Sequence, residues 1–505
     1  MGGLGVRDGQ KREIHPRLSD ATNRVVGESS LEVLEWKGVL EFCVLCDNRR
    51  ASQNRGEALM AKLLTPYLFT WKEVEAKSDL ERLMLVLEHL PDEGLMQKLE
   101  EQRKWGRNDY PIRPVWNSVL AGVVYQHESI DSLRRELLRN GELRERCGFD
   151  PHRGSEAVPP SWVYTRFLGL LFKFKAQIDG MFGRLVDELK ALLPDLGFSV
   201  AVDSKGVNSA GRSTKETEED GRRDVDADWG RKTYRGKRED GTLWEKVVKW
   251  FGYKIHLMVD TKYEMPLGYR VTRASVSDSP QLLPLVGDLQ EKHPQIHKDI
   301  ENLAGDKGYD SEDNCRQLYD EHGIKPVIDI RRMWRDKETK LLDPGRSDNI
   351  VYDEVGTIYC ICPVTGEQRQ MAYGGFEKDR MALKYICPIK AYGLTCSGRD
   401  QCEHAMKSER VSMEIDRRIF TPVARSSYAW ERDYKKRTAV ERVNSRLDVS
   451  FGFEKHFIRG QKKMEMRVGL ALCVMLAMAV GRIKEKHQEL MRSLVKSPAP
   501  LDKAA

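Results

Sequence analysis

The stretch FSVAVDSK, residues 198–205, marks the point where the chain changes from helix to sheet. Upstream of it, apolar residues recur at the three- and four-residue spacing of amphipathic helices. From Phe198 onward they come in short β-like runs, and the first of these, Phe198–Val202, leads directly into Asp203. We therefore expect a sheet that begins here and a helical region before it.

Short strands and helices follow Asp203 in a regular order. The predicted elements are the strands Tyr253–Asp260 and Leu267–Ala274, the helix Asp278–Lys292, the strand Asn302–Gly305, the helix Ser311–His322 and the strand Lys325–Ile330. With the first strand, this gives β-β-β-α-β-α-β. Short connections predict an antiparallel meander for the first three strands, and the later alternation predicts parallel strands. The order is that of a ribonuclease H-like α/β fold, a mixed sheet flanked by helices.

Residues 77–197 are predicted to form a helical domain, whereas residues 1–76 show no clear pattern and form a poorly defined leader. Pro91, Pro114 and Gly141 are typical helix boundaries in this region. Its basic side chains are Arg134, Arg135, Arg139, Arg144 and Arg146. Short helices with tight turns and basic residues fit a DNA-end-binding domain of the helix-turn-helix type. They fit a solvated amphipathic face equally well.

The sheet pattern is interrupted at residues 331–425, which contain proline, glycine and cysteine among short β-like pieces. We interpret this segment as a cysteine-containing, β-rich insertion. Helix returns in residues 426–485, mainly at Tyr434–Leu447 and Met464–Ile483, and residues 486–505 form a tail. The core is thus expected in two parts, residues 198–330 and 426–485.

Composition sets broad limits on the class of protein. A chain of 505 residues exceeds the roughly 250–300 residues at which single cores stop growing. Its 40% apolar and 32% charged residues are typical of globular proteins, and a net charge of +6 does not indicate a partner by itself. The start has no signal peptide, so we expect a reducing, cytoplasmic setting with no membrane. The longest apolar run, Val468–Val480, is too short to span a bilayer and predicts a buried helix.

Two aspartates and a glutamate stand where such a sheet would bring carboxylates together. Asp203 and Asp306 each follow a predicted strand. Ligands of open α/β sheets bind outside the carboxyl ends of strands, so we expect both at one edge. Glu441 lies on a predicted helix, seven residues after Tyr434 and four after Arg437, which places the three side chains on one face.

Convergent carboxylates are typical ligands of hard divalent cations such as Mg²⁺. Two such ions, about 3.5–4 Å apart, activate a hydroxyl and stabilise the leaving oxygen of a phosphodiester. A chain with 78 acidic residues also places carboxylates near strand ends by chance, so the inference depends on joint placement. Asp226 and Asp228 are rival candidates, but no predicted strand precedes them.

Five segments resemble the DDE transposases of bacterial insertion sequences, in the group with a Tyr-Arg-Glu-Lys signature. They are AVDSK (201–205), WFGYKIHLMVD (250–260), SVSDSPQL (275–282), AGDKGYDS (304–311) and YKKRTAVERVNSRL (434–447). The resemblance assigns catalysis and metal binding to Asp203, Asp306 and Glu441, and the signature's Tyr and Arg to Tyr434 and Arg437.

The resemblance implies Mg²⁺-dependent hydrolysis at transposon ends, with Mn²⁺ as a substitute, and transfer of the 3′-hydroxyl ends to target DNA. It implies terminal inverted repeats in double-stranded DNA as the partner, a homodimer in the synaptic complex, and action at the bacterial nucleoid.

Asp448 stands where the signature has lysine, so the phosphate contact of that lysine is not expected from this position. Arg446 or Lys455 could make the phosphate contact instead, or could form an ion pair with Asp448. We expect Asp448→Lys to tighten DNA binding. The departure leaves two alternatives open: an inactivated DNA-binding derivative, and a nuclease that hydrolyses without joining.

Basic and aromatic residues interleave between residues 229 and 254. The rings are Trp229, Tyr234, Trp244 and Trp250, and the predicted DNA-binding residues are Arg235, Lys237, Arg238 and Lys254, together with Tyr434 and Arg437. Basic groups hold phosphates and aromatic rings stack on unpaired bases. The alternative is a solvated loop beside core tryptophans.

Five cysteines and a histidine lie within 45 residues of the insertion. Cys362, Cys387, Cys396 and Cys402 are the candidate ligands for Zn²⁺, with Cys360 and His404 nearby. Because paired Cys-x2-Cys knuckles are absent from this spacing, free thiols are favoured over zinc.

Overall fold

The computed structural model describes residues 79–103, 109–211, 224–238, 240, 242–335, 337–343, 345 and 349–492. The predicted leader, residues 1–76, lies outside them, as do residues 493–505 of the predicted tail. Helices and strands are numbered below along the described part of the chain.

The N-terminal described region is helical, as predicted. Its α-helices are α1 (Asp79–His89), α2 (Glu93–Arg103), α3 (Ile112–Val124), α4 (Ile130–Arg139), α5 (Gly141–Cys147), α6 (Ser161–Leu171) and α7 (Lys175–Leu192). Ser129 and Asn140 cap α4 and α5 by accepting backbone N–H groups at 3.1 and 3.0 Å. The single helix predicted from Ser161 to about Leu192 is wrong, because a 3₁₀ turn at Phe172–Phe174 separates α6 from α7 and packs both rings on the core.

The main sheet has six strands. They are β1 (Ser199–Asn208), β2 (Asp228–Lys237), β3 (Leu243–Asp260), β4 (Pro266–Arg273), β5 (Asn302–Gly305) and β6 (Lys325–Ile328). Their order is β2-β3-β1-β5-β6, with β4 also paired to β3. The path β4-β3-β1-β5-β6 is antiparallel from β4 to β1 and parallel from β1 to β6. The predicted ribonuclease H-like order is therefore confirmed.

The interleaved basic and aromatic residues lie on a β-ribbon that was not predicted from the sequence. Leu243–Gly252, the first half of β3, pairs with the whole of β2 and extends beyond the other strands. Trp250 covers two facing glycines: a Cβ at Gly206 or Gly230 would lie 2.7 or 2.4 Å from its ring. Strand glycines of this kind permit close approach of a side chain. They also interrupt the alternation of apolar and polar residues by which a strand is recognised in a sequence.

Helices cover the sheet and close the core. They are α8 (Leu282–Lys292), α9 (Pro294–Asp299) and α10 (Glu312–Asp320) between strands, and α12 (Tyr428–Lys435), α13 (Thr438–Phe451) and α14 (Gln461–Lys484) at the end. The continuous helix predicted at Tyr434–Leu447 is broken between α12 and α13. Helix α14 is long and apolar enough to cross a membrane, but 89% of its apolar window is buried within the fold, as predicted for a core helix.

Helix α14 joins the helical region to the sheet. It packs on α1, α7 and β4, and the buried residues of all these elements form one continuous hydrophobic cluster. Residues 79–192 therefore share a core with the sheet.

Residues 331–425 form a β-rich insertion, as predicted. One sheet contains β7 (Thr339–Leu341), β8 (Ile350–Asp353), β9 (Ile358–Ile361) and β10 (Gln368–Gln370), and the other contains β11 (Ala372–Glu377), β12 (Ala382–Ile386) and β13 (Ser408–Ser412). The short helix α11 (Pro388–Tyr392) follows β12. Tyr352, Tyr385 and Phe420 belong to a separate hydrophobic core beneath these sheets.

Glu264, in the turn between β3 and β4, is a buried carboxylate that fixes α13 to the sheet. It accepts from Arg442 Nε at 2.6 Å, Arg446 Nη2 at 3.1 Å and Arg492 Nη1 at 3.1 Å. Three guanidinium groups around one carboxylate compensate for its loss of hydration.

We expect Glu264→Ala to lower the free energy of unfolding by about 3–5 kcal/mol, because it leaves the guanidinium groups without their common partner. Urea denaturation measures the change. The matched control is Glu431→Ala, which removes an exposed ion pair with Lys435 on α12 and is expected to cost less than about 1 kcal/mol. Equal urea midpoints of unfolding for the two variants would show that the contact of Glu264 with the three arginines does not hold α13.

Candidate active site

Asp203 and Asp306 are side by side because of the register of two parallel strands. Val202 of β1 pairs with Gly305 of β5, so the two aspartates are the next residues on neighbouring strands. The predicted strand end at Val202 is wrong, since β1 continues to Asn208 and Asp203 lies within it. Asp306 directly follows β5, as predicted. Adjacent strands are about 4.8 Å apart, so the carboxylates face each other closely.

Burial of Asp203, reinforced by the neighbouring charge of Asp306, raises the pKa of the Asp203 carboxyl to about 6. Tyr309 lies in the same buried region, and its pKa is raised by burial and by nearby carboxylates. The backbone N–H of Gly308 donates to Asp306 Oδ1 at 2.8 Å. A Cβ at Gly308 would lie 2.8 Å from that oxygen, so only glycine fits there without displacing Asp306.

Asp278, within the segment SVSDSPQL, is a further carboxylate at this edge and is not among the predicted site residues. Its Oδ2 lies 3.6 Å from the position of a Cβ at Gly308. Lys254 Nζ donates to its Oδ1 at 3.0 Å and to the Val276 carbonyl at 2.8 Å. Lys254, predicted to bind DNA, is therefore engaged within the protein. The sequence feature that could have indicated this contact is the alternation of Lys254 and His256 on one face of a strand, near an aspartate-containing turn.

Glu441 is on the first turn of α13 and is held by Arg437. Arg437 Nη2 lies 2.7 Å from Glu441 Oε1, and the Arg437 guanidinium lies 5.7 Å from the ring centre of Tyr434. Tyr434 in turn stacks on Trp430 at 4.6 Å. The charges of Glu441 and Asp203 both raise the pKa of Arg437, against the effect of its burial. The predicted grouping of Tyr434, Arg437 and Glu441 thus exists across the break between α12 and α13.

Asp203, Asp306 and Glu441 do not form a closed metal-binding group in this structure. Among the described residues, no three histidine, cysteine, aspartate or glutamate side chains are placed to hold a metal ion. The Glu441 side chain is 49% exposed and directed to Arg437. Asp203 and Asp306 are the part of the predicted triad that the structure brings together.

Asp448 pairs with Lys205, not with the predicted Arg446 or Lys455. Lys205 Nζ donates to Asp448 Oδ2, and both side chains are largely buried. Arg446 is engaged by Glu264. The contact links β1, two residues beyond Asp203, to α13, seven residues beyond Glu441. Asp448 therefore neutralises an ammonium group and ties together the two elements that present the site carboxylates.

The rival aspartates have structural partners. Asp228 accepts from Ser275 N at 2.8 Å, and Asp226 accepts from Gln461 N at 3.1 Å. His256 is fully buried and lies 2.9 Å from Thr272 Oγ1, as expected for a structural histidine, and burial lowers its pKa to about 4.

The remaining predicted DNA-binding residues are on or beside the ribbon. Arg235 and Lys237 belong to β2, but their side chains lie outside the described part of the structure. Arg238 is exposed just after β2. Lys232, also on β2, lowers the pKa of Asp203 against the larger effect of burial, so the ribbon contributes positive charge close to the carboxylates.

In the helical region, several arginines of the predicted DNA-binding domain make contacts within the protein. Arg134 Nε donates to the Pro159 carbonyl at 2.8 Å, and Arg144 Nη1 donates to the Leu137 carbonyl at 2.7 Å. Arg139 pairs with Glu136. Arg135 and Arg146 are exposed.

We expect Asp203→Asn to stabilise the protein in the presence of a chelator. A folded-state pKa of about 6, against an ordinary 3.8, means that the folded chain holds a proton more tightly than the unfolded chain. The charged carboxylate thus destabilises the fold by about 3 kcal/mol above pH 6, and this penalty fades as pH falls toward 4. Urea denaturation at pH 8 and pH 5 should show a larger gain at pH 8. A gain in stability that grows at low pH would contradict the effect of the buried Asp203–Asp306 pair. An equal gain for the exposed control Asp313→Asn would contradict it as well.

We expect Asp448→Lys to lower the free energy of unfolding by about 2 kcal/mol, because it replaces a charged hydrogen bond with two facing ammonium groups. The tighter DNA binding that the sequence predicts for this variant is a separate property. Asp448→Asn, which keeps an acceptor, should lose less. Unchanged or increased stability of the lysine variant would show that Lys205 is not the partner of Asp448.

The sequence model of the family "Transposase DDE domain" matches residues 199–477, which include the three predicted catalytic residues. A search of curated proteins finds no match. A solved structure, a cryo-EM structure of a piggyBac transposase synaptic complex with hairpin DNA, is similar at 12% identity and a TM-score of 0.33, with 84% of this chain and 80% of that chain covered. Since the family match spans more than half of the 505 residues, this chain belongs to the DDE transposase family.

Proposed function

We propose that this transposase cuts DNA at the ends of a mobile element and transfers the free 3′-hydroxyl ends to target DNA, with Mg²⁺ as its metal. The supporting observation is the burial of Asp203 next to Asp306 at paired strand positions. Two like charges so close destabilise the fold, and a divalent cation between them would remove that penalty.

Divalent ions at such a site supply an activated hydroxyl and stabilise charge on the leaving oxygen of the phosphodiester. Asp203 and Asp306 would hold them, and Glu441 is the proposed third ligand. Arg437, between α12 and α13, keeps the Glu441 carboxylate in place, and the Arg437 guanidinium is close enough to Asp203 for the charges of these two groups to interact. A DNA phosphate is a good alternative partner for Arg437, because guanidinium groups bind phosphate through paired hydrogen bonds. Binding of DNA would then free Glu441 for the metal.

Double-stranded DNA with terminal inverted repeats is the proposed partner. The basic ribbon beside Asp203 is suited to the segment that is cut, and the exposed Arg135 and Arg146 are suited to the adjoining duplex. Because both ends of an element must be joined, we propose a homodimer that brings two such sites together, and action at the nucleoid of a bacterium.

We expect Asp203→Ala, Asp306→Ala and Glu441→Ala each to reduce cleavage and strand transfer by about 1,000-fold or more, since each removes a metal ligand. Binding of the element's ends should survive, because the metal ligands need not read bases. The assay uses the DNA that flanks the coding sequence, in Mg²⁺ and in Mn²⁺, with binding measured in parallel.

Asp313→Ala is the matched control, since it removes an exposed aspartate at the start of α10. Near wild-type cleavage by any triad variant would refute that residue's role. Uncut and pre-cut ends together separate the alternatives: a nuclease would cleave uncut ends but not join pre-cut ends, and an inactivated derivative would only bind.

A further inference from the structure

Cysteine and histidine side chains from separate segments of the insertion meet around one small cavity of about 30 Å³, the size of an ion or a water molecule. They are Cys360 and Cys362 at the end of β9, Cys387 after β12, and Cys396, Cys402 and His404 in the loop between α11 and β13. The cavity therefore lies where the two sheets of the insertion and this loop come together.

Two of these sulfurs accept hydrogen bonds from the surrounding loops. The Thr365 hydroxyl and the backbone N–H groups of Thr365 and Val364 donate to the sulfur of Cys362. The turn is completed by Gly366, whose φ of 68° favours glycine. The backbone of Gly398 also donates to the sulfur of Cys396. Backbone donors to sulfur stabilise the thiolate form, which is the form that binds metals.

The spacing of the two sulfurs fits a metal better than a disulfide. Cys362 Sγ and Cys396 Sγ are 3.8 Å apart. Sulfurs bound to one tetrahedral Zn²⁺ at about 2.3 Å are separated by about 3.8 Å, whereas a disulfide bond is about 2.05 Å long.

His404 has the arrangement of a metal ligand with a supporting carboxylate. Its Nδ1 lies 3.2 Å from Glu409 Oε2, while its Nε2 is buried and has no hydrogen-bond partner among the described residues. A carboxylate on one ring nitrogen fixes the tautomer that leaves the other nitrogen free for a metal. Cys402 is oriented by Asn349, whose Nδ2 donates to its sulfur at 3.3 Å.

We propose that Cys362, Cys396, Cys402 and His404 bind one structural Zn²⁺ ion that fastens the loop between α11 and β13 to β9. No three of these side chains are yet within mutual reach of a metal. A closed site would require these side chains to rotate toward one another within the cavity. Cys387 lines the same cavity and is the alternative fourth ligand.

The test is metal analysis of the full-length protein, purified with reductant and without chelator. We expect about one zinc per chain, and Co²⁺ substitution should give the sulfur-to-cobalt charge-transfer absorption of a tetrahedral thiolate site. Ions at the carboxylate site bind through oxygen and do not produce this absorption, so the result is independent of the proposed DNA cleavage.

Cys362→Ala and Cys396→Ala should each remove the zinc and the cobalt absorption, and should lower the melting temperature. The matched control, Cys147→Ala, removes a fully buried cysteine of α5 and should keep both. Zinc-free wild-type protein without the cobalt absorption, or a Cys362–Cys396 disulfide detected by mass spectrometry under reducing purification, would overturn the site. Loss of zinc in Cys387→Ala but not in His404→Ala would overturn the role of His404.

Discussion

The parallel pairing of β1 with β5 is the constraint on which the rest of the structure depends. It places Asp203 beside Asp306, and a register slip of one residue would turn one of them to the opposite face of the sheet. Both strands are buried in this part, so the apolar residues around the aspartates fix the register strongly. The fold thus uses two buried, paired strands to hold together two charges that repel each other. Such an arrangement is unfavourable for stability alone and is typical of functional sites.

The third carboxylate is positioned differently, through charged contacts on a helix. Helix α13 is tied to the sheet by Glu264 at the β3–β4 turn and by Lys205 on β1, and Arg437 at its start controls Glu441. A fixed aspartate pair and a restrained but exposed glutamate divide the tasks of the site. In the proposed mechanism, the pair would define where an ion binds, and the glutamate would respond to what else is bound.

The central fold was predictable from local sequence patterns, whereas contacts between residues distant in sequence were not. Strand and helix order follows from short apolar periods, and Asp306 at a strand end followed from that order. The ribbon was missed because Gly206 and Gly230 make room for Trp250, a relation between three segments that no single segment reveals. The partner of Asp448 was missed for the same reason, since Lys205 is 243 positions away. Asp278 was also missed, because its relation to Lys254 and Gly308 exists only after folding.

The position of α14 has a consequence for biosynthesis. This helix is the common packing surface of α1, α7 and β4, yet a ribosome adds it after all of them. Until it emerges, the apolar faces of the helical region and of the sheet remain uncovered, and such intermediates depend on chaperones or aggregate. Translation that stops before Gln461 would leave both aspartates and Glu441 in a chain that has no completed core. Premature termination would therefore yield insoluble protein rather than a shortened, unregulated DNA-cutting fragment.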